Sequence, residues 1–174
     1  MTLIYPGSFD PVTTGHVDIA KRGASVAGGL IVAVLDNPKK KTMFSVKERV
    51  MLLQSVFENV PGIEVDSFSG LLAEYAVKRG AKAILRGLRN PNDFENETRY
   101  ASYNSQLSGG IETIFLPSNP ALSFVSSSIV RELMAYATIN ADMMDTRSLI
   151  YSMMPPEVRA YFAKMLDIEK SAEG

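Results

Sequence analysis

A loop near the start of the chain combines glycine, proline and hydroxyl residues with the chain's single histidine. It reads YPGSFDPVTTGH over residues 5–16 and follows an apolar segment that favours a buried strand. Glycine lets a backbone approach a ligand closely, and the helix predicted from Val17 would point unpaired N–H groups at an anion. The pattern therefore predicts a phosphate-binding loop that includes His16. The alternative is an ordinary strand-to-helix turn with a satisfied histidine.

Two basic segments follow other predicted strands. Lys39–Lys41 follow the second strand, and Arg86-Gly87-Leu88-Arg89 follow the fourth. Open α/β sheets bind ligands at the carboxyl ends of their strands, so both segments are candidates for holding an anion. Gly87 is expected to permit a tight turn before a helix that begins at Asn90-Pro91, which would let both guanidiniums face one anion. The alternative is ion pairing of these arginines with nearby carboxylates, which are Asp93, Glu95 and Glu97.

The lysine run allows a second interpretation, because a basic loop is usually just solvated. We expect one of the three lysines to reach a site.

A fourth candidate segment is Ser126–Ser128, at the start of a helix predicted to continue to Leu133. N-capping needs only one serine, so three consecutive hydroxyls beside free backbone N–H groups favour contact with phosphate.

Strands and helices are predicted to alternate along the chain and to position these segments. Short apolar runs predict five strands, at residues 3–5, 30–35, 63–65, 83–85 and 112–116. Apolar residues spaced three and four apart predict helices at 17–24, 46–58, 71–79 and 93–107. This alternation indicates an α/β protein with a parallel sheet covered by helices.

The last part of the chain has a different character. Methionines are scattered through two helical patterns, and Pro155-Pro156 predicts the start of a final helix. These methionines are expected to pack in a core or a subunit interface. They are Met134, Met143, Met144, Met153 and Met154.

Length and composition limit the classes of protein that fit. The 174 residues, 46% of them hydrophobic, suggest one domain over residues 1–174 with a real core. A net charge of -1 argues against general binding to nucleic acid or a membrane surface. Without cysteine and with one histidine, zinc sites, disulfides and thiol catalysis are excluded. No signal segment and no membrane-spanning run are recognised, so we expect a cytoplasmic protein.

Four segments, in their order and spacing, resemble bacterial phosphopantetheine adenylyltransferases, nucleotidyltransferases with a (T/H)-x-G-H signature. The segments are YPGSFDPVTTGH, PKKKTMF, RGLRNPNDFENE and SFVSSSIVRE, and the resemblance runs from Ile4 to about Leu133. It implies a doubly wound, Rossmann-like α/β fold with a five-stranded parallel sheet of order 3-2-1-4-5 and C-terminal helices from about residue 134. It also implies transfer of the adenylyl group of ATP to 4′-phosphopantetheine with Mg²⁺, giving dephospho-coenzyme A and pyrophosphate. Members are usually homohexamers, and feedback by coenzyme A is possible.

The resemblance also implies roles for individual residues. His16, Lys40 and Arg89 form the catalytic set, in which His16 stabilises the transition state. Lys40 bridges the phosphates of the two substrates, Ser8 touches both substrates, and Arg86 holds the acceptor phosphate. The implied ATP positions are Ser8, Phe9, His16, Gly87, Leu88, Arg89, Glu97, Leu122, Ser123, Phe124, Val125, Ser126, Ser127 and Ser128. The implied phosphopantetheine positions are Ser8, Lys40, Leu72, Arg86, Asn104 and Glu132.

Two departures from the family pattern stand out. Leu122 lies where members often have tryptophan, and residues 135–154 form a longer segment than usual.

The rival interpretations are a nucleotidyltransferase acting on another phosphate, such as nicotinamide mononucleotide or glycerol phosphate, a nucleotide sensor without chemistry, and a structural module. Kinase, dehydrogenase, hydrolase and metalloprotease motifs are absent from the sequence.

Overall fold

A computed structural model of the chain describes residues 1–139 and 144–172. Five parallel strands form one sheet of order β3-β2-β1-β4-β5, as the resemblance implied. The strands are β1 (Thr2–Gly7), β2 (Gly29–Asp36), β3 (Ile63–Ser69), β4 (Ala83–Leu88) and β5 (Glu112–Pro117). The helices are α1 (Thr14–Ala27), α2 (Val46–Phe57), α3 (Leu72–Lys78), α4 (Pro91–Ser108), α5 (Ser127–Ile139), α6 (Met144–Ser152) and α7 (Pro156–Ala172).

The central strand β1 is covered on both faces, which explains its run of apolar residues. Leu3 and Tyr5 belong to a large core with α1, α2 and the C-terminal helices, whereas Ile4 faces a smaller core that includes Ala76 of α3. Side chains of a strand alternate between the faces of its sheet, so consecutive apolar residues bury both faces. The strand order reverses between β1 and β4, and this reversal opens a crevice at their carboxyl ends.

The fourth strand continues past the apolar run that predicted it. Arg86 and Gly87 pair with Phe115 and Leu116 of β5, so the tight turn expected at Gly87 is wrong. Polar Arg86 ends the apolar pattern, but main-chain pairing with β5 does not depend on side-chain polarity. Gly87 is instead required for close packing, because a Cβ atom there would lie 2.9 Å from Cγ1 of Ile19 on α1.

We expect Gly87→Ala to destabilise the fold by about 1–3 kcal/mol, since the buried Ile19 leaves the new methyl group no room. Urea unfolding measures the change. Gly29→Ala is a matched control in β2, where the nearest atom to the added Cβ, Oγ1 of Thr2, lies at an ordinary 3.5 Å. Equal stabilities of the two variants would show that the contact between α1 and β4 is loose.

The C-terminal helices pack against the elements that carry the loop at residues 5–16. Met153 and Met154 are fully buried in the large core, and Met134 packs against it, as expected for core methionines. The carbonyl of Met153 accepts the Thr14 N–H at 2.9 Å and the Thr14 hydroxyl at 3.2 Å. Met143 and the side chain of Met144 lie outside the described residues. No helix in the described ranges is long and apolar enough to cross a membrane.

Candidate active site

His16 lies in the first turn of α1, which begins three residues earlier than the sequence predicted. Thr13 is the N-cap, and its Oγ1 accepts the His16 backbone N–H at 3.4 Å. The Nδ1 atom of His16 in turn accepts the Thr13 backbone N–H at 3.1 Å, so the imidazole occupies the place that Glu or Gln usually takes in a capping box. The alternative, a histidine whose hydrogen bonds are made within the protein, is therefore correct for Nδ1, one of the two ring nitrogens.

The second ring nitrogen of His16 is a hydrogen-bond donor. Burial, together with the positive charges of Arg89 and Arg86, lowers the pKa of His16 from 6.5 to about 4. The ring is therefore neutral at neutral pH. Because Nδ1 accepts a backbone N–H, the single ring proton is assigned to Nε2.

We expect the ring signals of His16 to titrate with a midpoint near pH 4 and to report the Nε2–H tautomer. As the chain's only histidine, it can be followed without ambiguity by ¹H–¹⁵N NMR. The unfolded chain binds a proton near pH 6.5 and the folded chain only near 4, so the stability due to this group should fall as the pH drops between these values. A midpoint near 6.5 or an Nδ1–H tautomer would contradict this assignment.

Phe9 supports the imidazole ring from within the loop. Its side chain is 2% exposed and packs edge-on against the rings of Tyr5 at 5.5 Å and His16 at 5.1 Å. Its φ of 48° lies in the left-handed region, which costs energy for a bulky residue. A Cβ atom on Gly7 would lie 2.8 Å from the Phe9 ring. The Phe9 ring is thus part of the protein core.

The four segments singled out by sequence contribute to one cavity of about 570 Å³. Its walls come from the loop after β1, the end of β4 and the first turn of α5, and Lys40 reaches it from the loop after β2. The implied nucleotide positions that line it are Ser8, Phe9, His16, Gly87, Arg89, Glu97, Leu122, Val125, Ser126, Ser127 and Ser128. The remaining three, Leu88, Ser123 and Phe124, are not among its lining residues.

Four cationic side chains line the cavity, and the carboxylates among its lining residues are those of Asp93 and Glu97. The cations are Lys40, Arg86, Arg89 and Arg131. Lys40 alone of the lysine run lines the cavity, and its Nζ donates to Ser8 Oγ at 3.0 Å. The excess of positive charge suits an anionic ligand.

Both arginines of β4 and its following loop are ion-paired, as the alternative interpretation held. Nε of Arg86 donates to Glu97 Oε2 at 2.6 Å, a second guanidinium nitrogen contacts Oε1, and Nη1 donates to the Pro6 carbonyl at 3.0 Å. Nε of Arg89 lies 3.2 Å from Asp93 Oδ2. These pairs fix the guanidiniums at the cavity wall, and a guanidinium has five N–H donors, so pairing leaves donors for a ligand.

A second cavity of about 310 Å³ adjoins the first. Its lining is largely apolar, with Leu35, Phe68 and Ile84, and it includes the two implied pantetheine positions Leu72 and Asn104. Glu132 is also an implied phosphopantetheine position, but it is exposed on α5 and lines neither cavity. The two cavities share Pro6, Gly7, Ser8, Arg86 and Glu97.

Sequence reasoning missed Arg131 as a site residue. Its guanidinium contacts the Asp10 carbonyl and lies 3.6 Å from the Asp10 carboxylate, while Ser127 Oγ donates to the Pro11 carbonyl at 2.8 Å. Residues four apart on a helix share a face, so the spacing of Ser127 and Arg131 was a usable signal. Ser126 Oγ also accepts the Ile129 N–H at 3.2 Å, so one serine caps α5 while all three line the cavity.

A model of the cytidylyltransferase-like family matches residues 4–133. Plasmodium falciparum nicotinic acid mononucleotide adenylyltransferase complexed with NaAD aligns with a TM-score of 0.60 at 17% identity, over 94% of this chain and 95% of that chain. The lipopolysaccharide core biosynthesis protein from Thermoplasma volcanium GSS1 aligns at 0.52 and 16%, over 68% and 98%. These two likenesses show the fold alone, and the chain belongs to the cytidylyltransferase-like nucleotidyltransferases.

Relatives found by sequence show which enzymes within this family the chain resembles. The phosphopantetheine adenylyltransferase of Caldanaerobacter subterraneus subsp. tengcongensis is 54% identical over 130 residues, which are 75% of this chain and 81% of that protein. The phosphopantetheine adenylyltransferase of Alkaliphilus metalliredigens is 48% identical over 130 residues, 75% and 83% of the two proteins. Within the larger family, this chain belongs to the phosphopantetheine adenylyltransferases.

Proposed function

We propose that this enzyme transfers the adenylyl group of ATP to 4′-phosphopantetheine, giving dephospho-coenzyme A and pyrophosphate. The observation that carries the proposal is the junction of a cationic cavity with an apolar one at Ser8 and Arg86. The cationic cavity suits a triphosphate, and the apolar cavity suits the pantetheine arm. Two phosphates would therefore meet where the cavities join.

The reaction needs no nucleophile from the protein. An oxygen of the acceptor phosphate forms a bond to the α-phosphorus of ATP while the bond to the leaving pyrophosphate breaks in line. Positioning and charge stabilisation are the protein's contribution. Lys40 and Ser8 orient the acceptor phosphate, Nε2–H of His16 donates to the charge developing on the transferred phosphoryl group, and Arg89 with the α5 serines binds the leaving pyrophosphate.

Magnesium would enter with ATP, held by phosphate oxygens and water, as is usual for this ion. No group of three potential metal-ligating side chains exists among the residues that the structure describes. The two carboxylates of the cationic cavity, Asp93 and Glu97, are both paired with arginines. The donor set thus does not fit a resident metal ion held by the protein, and no step is assigned to one.

Pyrophosphate release in the presence of ATP tests the proposal, with 4′-phosphopantetheine, nicotinamide mononucleotide and glycerol phosphate offered as separate acceptors. We expect release with the first acceptor only. Lys40→Ala should abolish most of it and Lys41→Ala should not, because Lys41 does not line the cavity. Release with another acceptor would reassign the substrate, and ATP binding without release would indicate a sensor.

We further propose a homohexamer that responds to coenzyme A, as the family resemblance implies, and a cytoplasmic location, as expected from the sequence. Exposed apolar side chains, including Tyr100, Tyr103 and Leu107 on α4, offer surface for subunit contacts. Mass photometry at working concentration tests the assembly, and a monomer alone would contradict it.

A further inference from the structure

Three polar or charged side chains are buried among the residues that the structure describes, and all three lie at or beside the loop of residues 5–16. They are Asp10, 0% exposed, Thr13, 1%, and Arg49, 2%. Thr13 caps α1. Asp10 and Arg49 line neither cavity, so direct contact with a substrate does not account for them.

Arg49 lies on α2 and donates only to main-chain carbonyls. Nη1 lies 2.8 Å from the Ser8 carbonyl and 3.3 Å from the Leu35 carbonyl, and Nε lies 3.1 Å from the Phe44 carbonyl. No carboxylate of the described residues forms an ion pair with it. Burying a cation is costly unless its hydrogen bonds are made, so this arrangement strongly fixes the three segments that it joins.

Asp10 is hydrogen-bonded to the same region. Its Oδ1 and Oδ2 atoms accept the backbone N–H groups of Phe44 and Met43, both at 2.9 Å. Phe44 is therefore bonded through its N–H to Asp10 and through its carbonyl to Arg49. The loop of residues 37–44, which carries Lys40, is thus tied at its end to the phosphate loop.

The contact that these bonds secure is the one between Lys40 and Ser8. Ser8 is held at its carbonyl by Arg49 and meets Lys40 Nζ at its hydroxyl, 3.0 Å away. Lys40 itself is exposed, and its contact with Ser8 spans 32 residues of chain. A flexible, exposed lysine cannot hold this position by itself, because it would lose considerable side-chain entropy.

We infer that Arg49 is a positioning residue for adenylyl transfer, which sets the place of Lys40 relative to Ser8 without touching a substrate. The inference rests on the proposed function. Arg49 acts through main-chain carbonyls at the end of β2, in the phosphate loop and before α2. Lysine keeps the charge but presents one donor group, so it cannot span all three carbonyls as the guanidinium does.

We expect Arg49→Lys to lower kcat roughly tenfold and Arg49→Gln roughly 100-fold, the scale of a misplaced reacting group, with the KM for ATP changed less than about threefold. In a Lys40→Ala background, Arg49→Lys should lower kcat further by less than about twofold, because both changes remove the same function, which is the positioned amino group of Lys40. Arg159→Lys is a matched control, since Arg159 also donates to a carbonyl, that of Met154 at 2.8 Å, away from both cavities. The inference would be overturned if Arg49→Lys lowered kcat by the same factor with and without Lys40. It would also be overturned if the KM for ATP rose as much as kcat fell.

Amide hydrogen exchange gives a readout that does not need activity. Arg49→Lys should speed exchange at Met43 and Phe44 relative to wild type and to Arg159→Lys, since their N–H groups depend on the position of the tied loop. Unchanged exchange at these amides would overturn the inference even if the variants were less active. A wild-type enzyme without pyrophosphate release would contradict the proposed function alone, and exchange would still decide the role of Arg49.

Discussion

His16→Ala is expected to lower kcat by about 100-fold or more, while the affinity for ATP changes little. In other enzymes, removal of one preorganised hydrogen-bond donor to a developing charge lowers kcat by about 100-fold to 1,000-fold. The neutral ring, with Nδ1 engaged by Thr13, presents Nε2–H as that donor. Under the proposed function, ATP would contact many other groups that line the cavity, so ground-state binding should lose little. Single-turnover kinetics and calorimetric titration with ATP separate the two quantities.

His16→Asn provides the sharper comparison. The Oδ1 atom of asparagine takes the place of Nδ1 and can accept the Thr13 N–H, but asparagine has no donor at the position of Nε2. We therefore expect near-native stability with the same loss of turnover as in His16→Ala. The alanine variant should also lose about 1 kcal/mol of stability with its capping contact. Full turnover in the asparagine variant would remove His16 from the chemistry.

Arg86→Ala is expected to lower kcat/KM for 4′-phosphopantetheine by about 100-fold or more, with two causes. The variant loses the guanidinium at the junction of the cavities, and it leaves the Glu97 carboxylate without its partner beside two anionic substrates. Breaking one side of such a largely desolvated charge pair costs about 2–5 kcal/mol, and each factor of ten corresponds to about 1.4 kcal/mol. Steady-state kinetics with each substrate varied in turn measures the loss.

The second cause can be separated from the first. Arg86→Ala with Glu97→Gln removes the unpaired negative charge, so we expect it to recover roughly tenfold of the lost kcat/KM. The single variant Glu97→Gln should be the mildest of the three, because Arg86 keeps its bond to the Pro6 carbonyl. No recovery in the double variant would show that Glu97 does not repel the substrates.

Much of the fold could be predicted from local patterns. Apolar runs located all five strands, and Asn90, Pro91 and Pro156 marked helix starts that the structure confirms. Strand ends were less predictable, because β3 and β4 continue into polar residues through main-chain pairing with their neighbours. The start of α1 was missed because its cap uses histidine where the usual signal is Glu or Gln.

From residue types and spacing alone the site was predictable only as separate segments, and it was the family resemblance that implied one shared site. Residue types and spacing identified the loop at 5–16, the basic segments and the serines as places for an anion, because glycine, arginine and helix N-termini have local chemistry. Only the tertiary structure brought Ser8 to Lys40, Arg86 to Pro6 and Ser127 to Pro11. It also decided that Glu132 lines neither cavity, that Arg131 lines the cationic one and that burial keeps His16 neutral. Contacts between distant segments and the desolvation of a ring depend on how strands are ordered and packed, and sequence periodicity, which reports on one element at a time, does not contain that information.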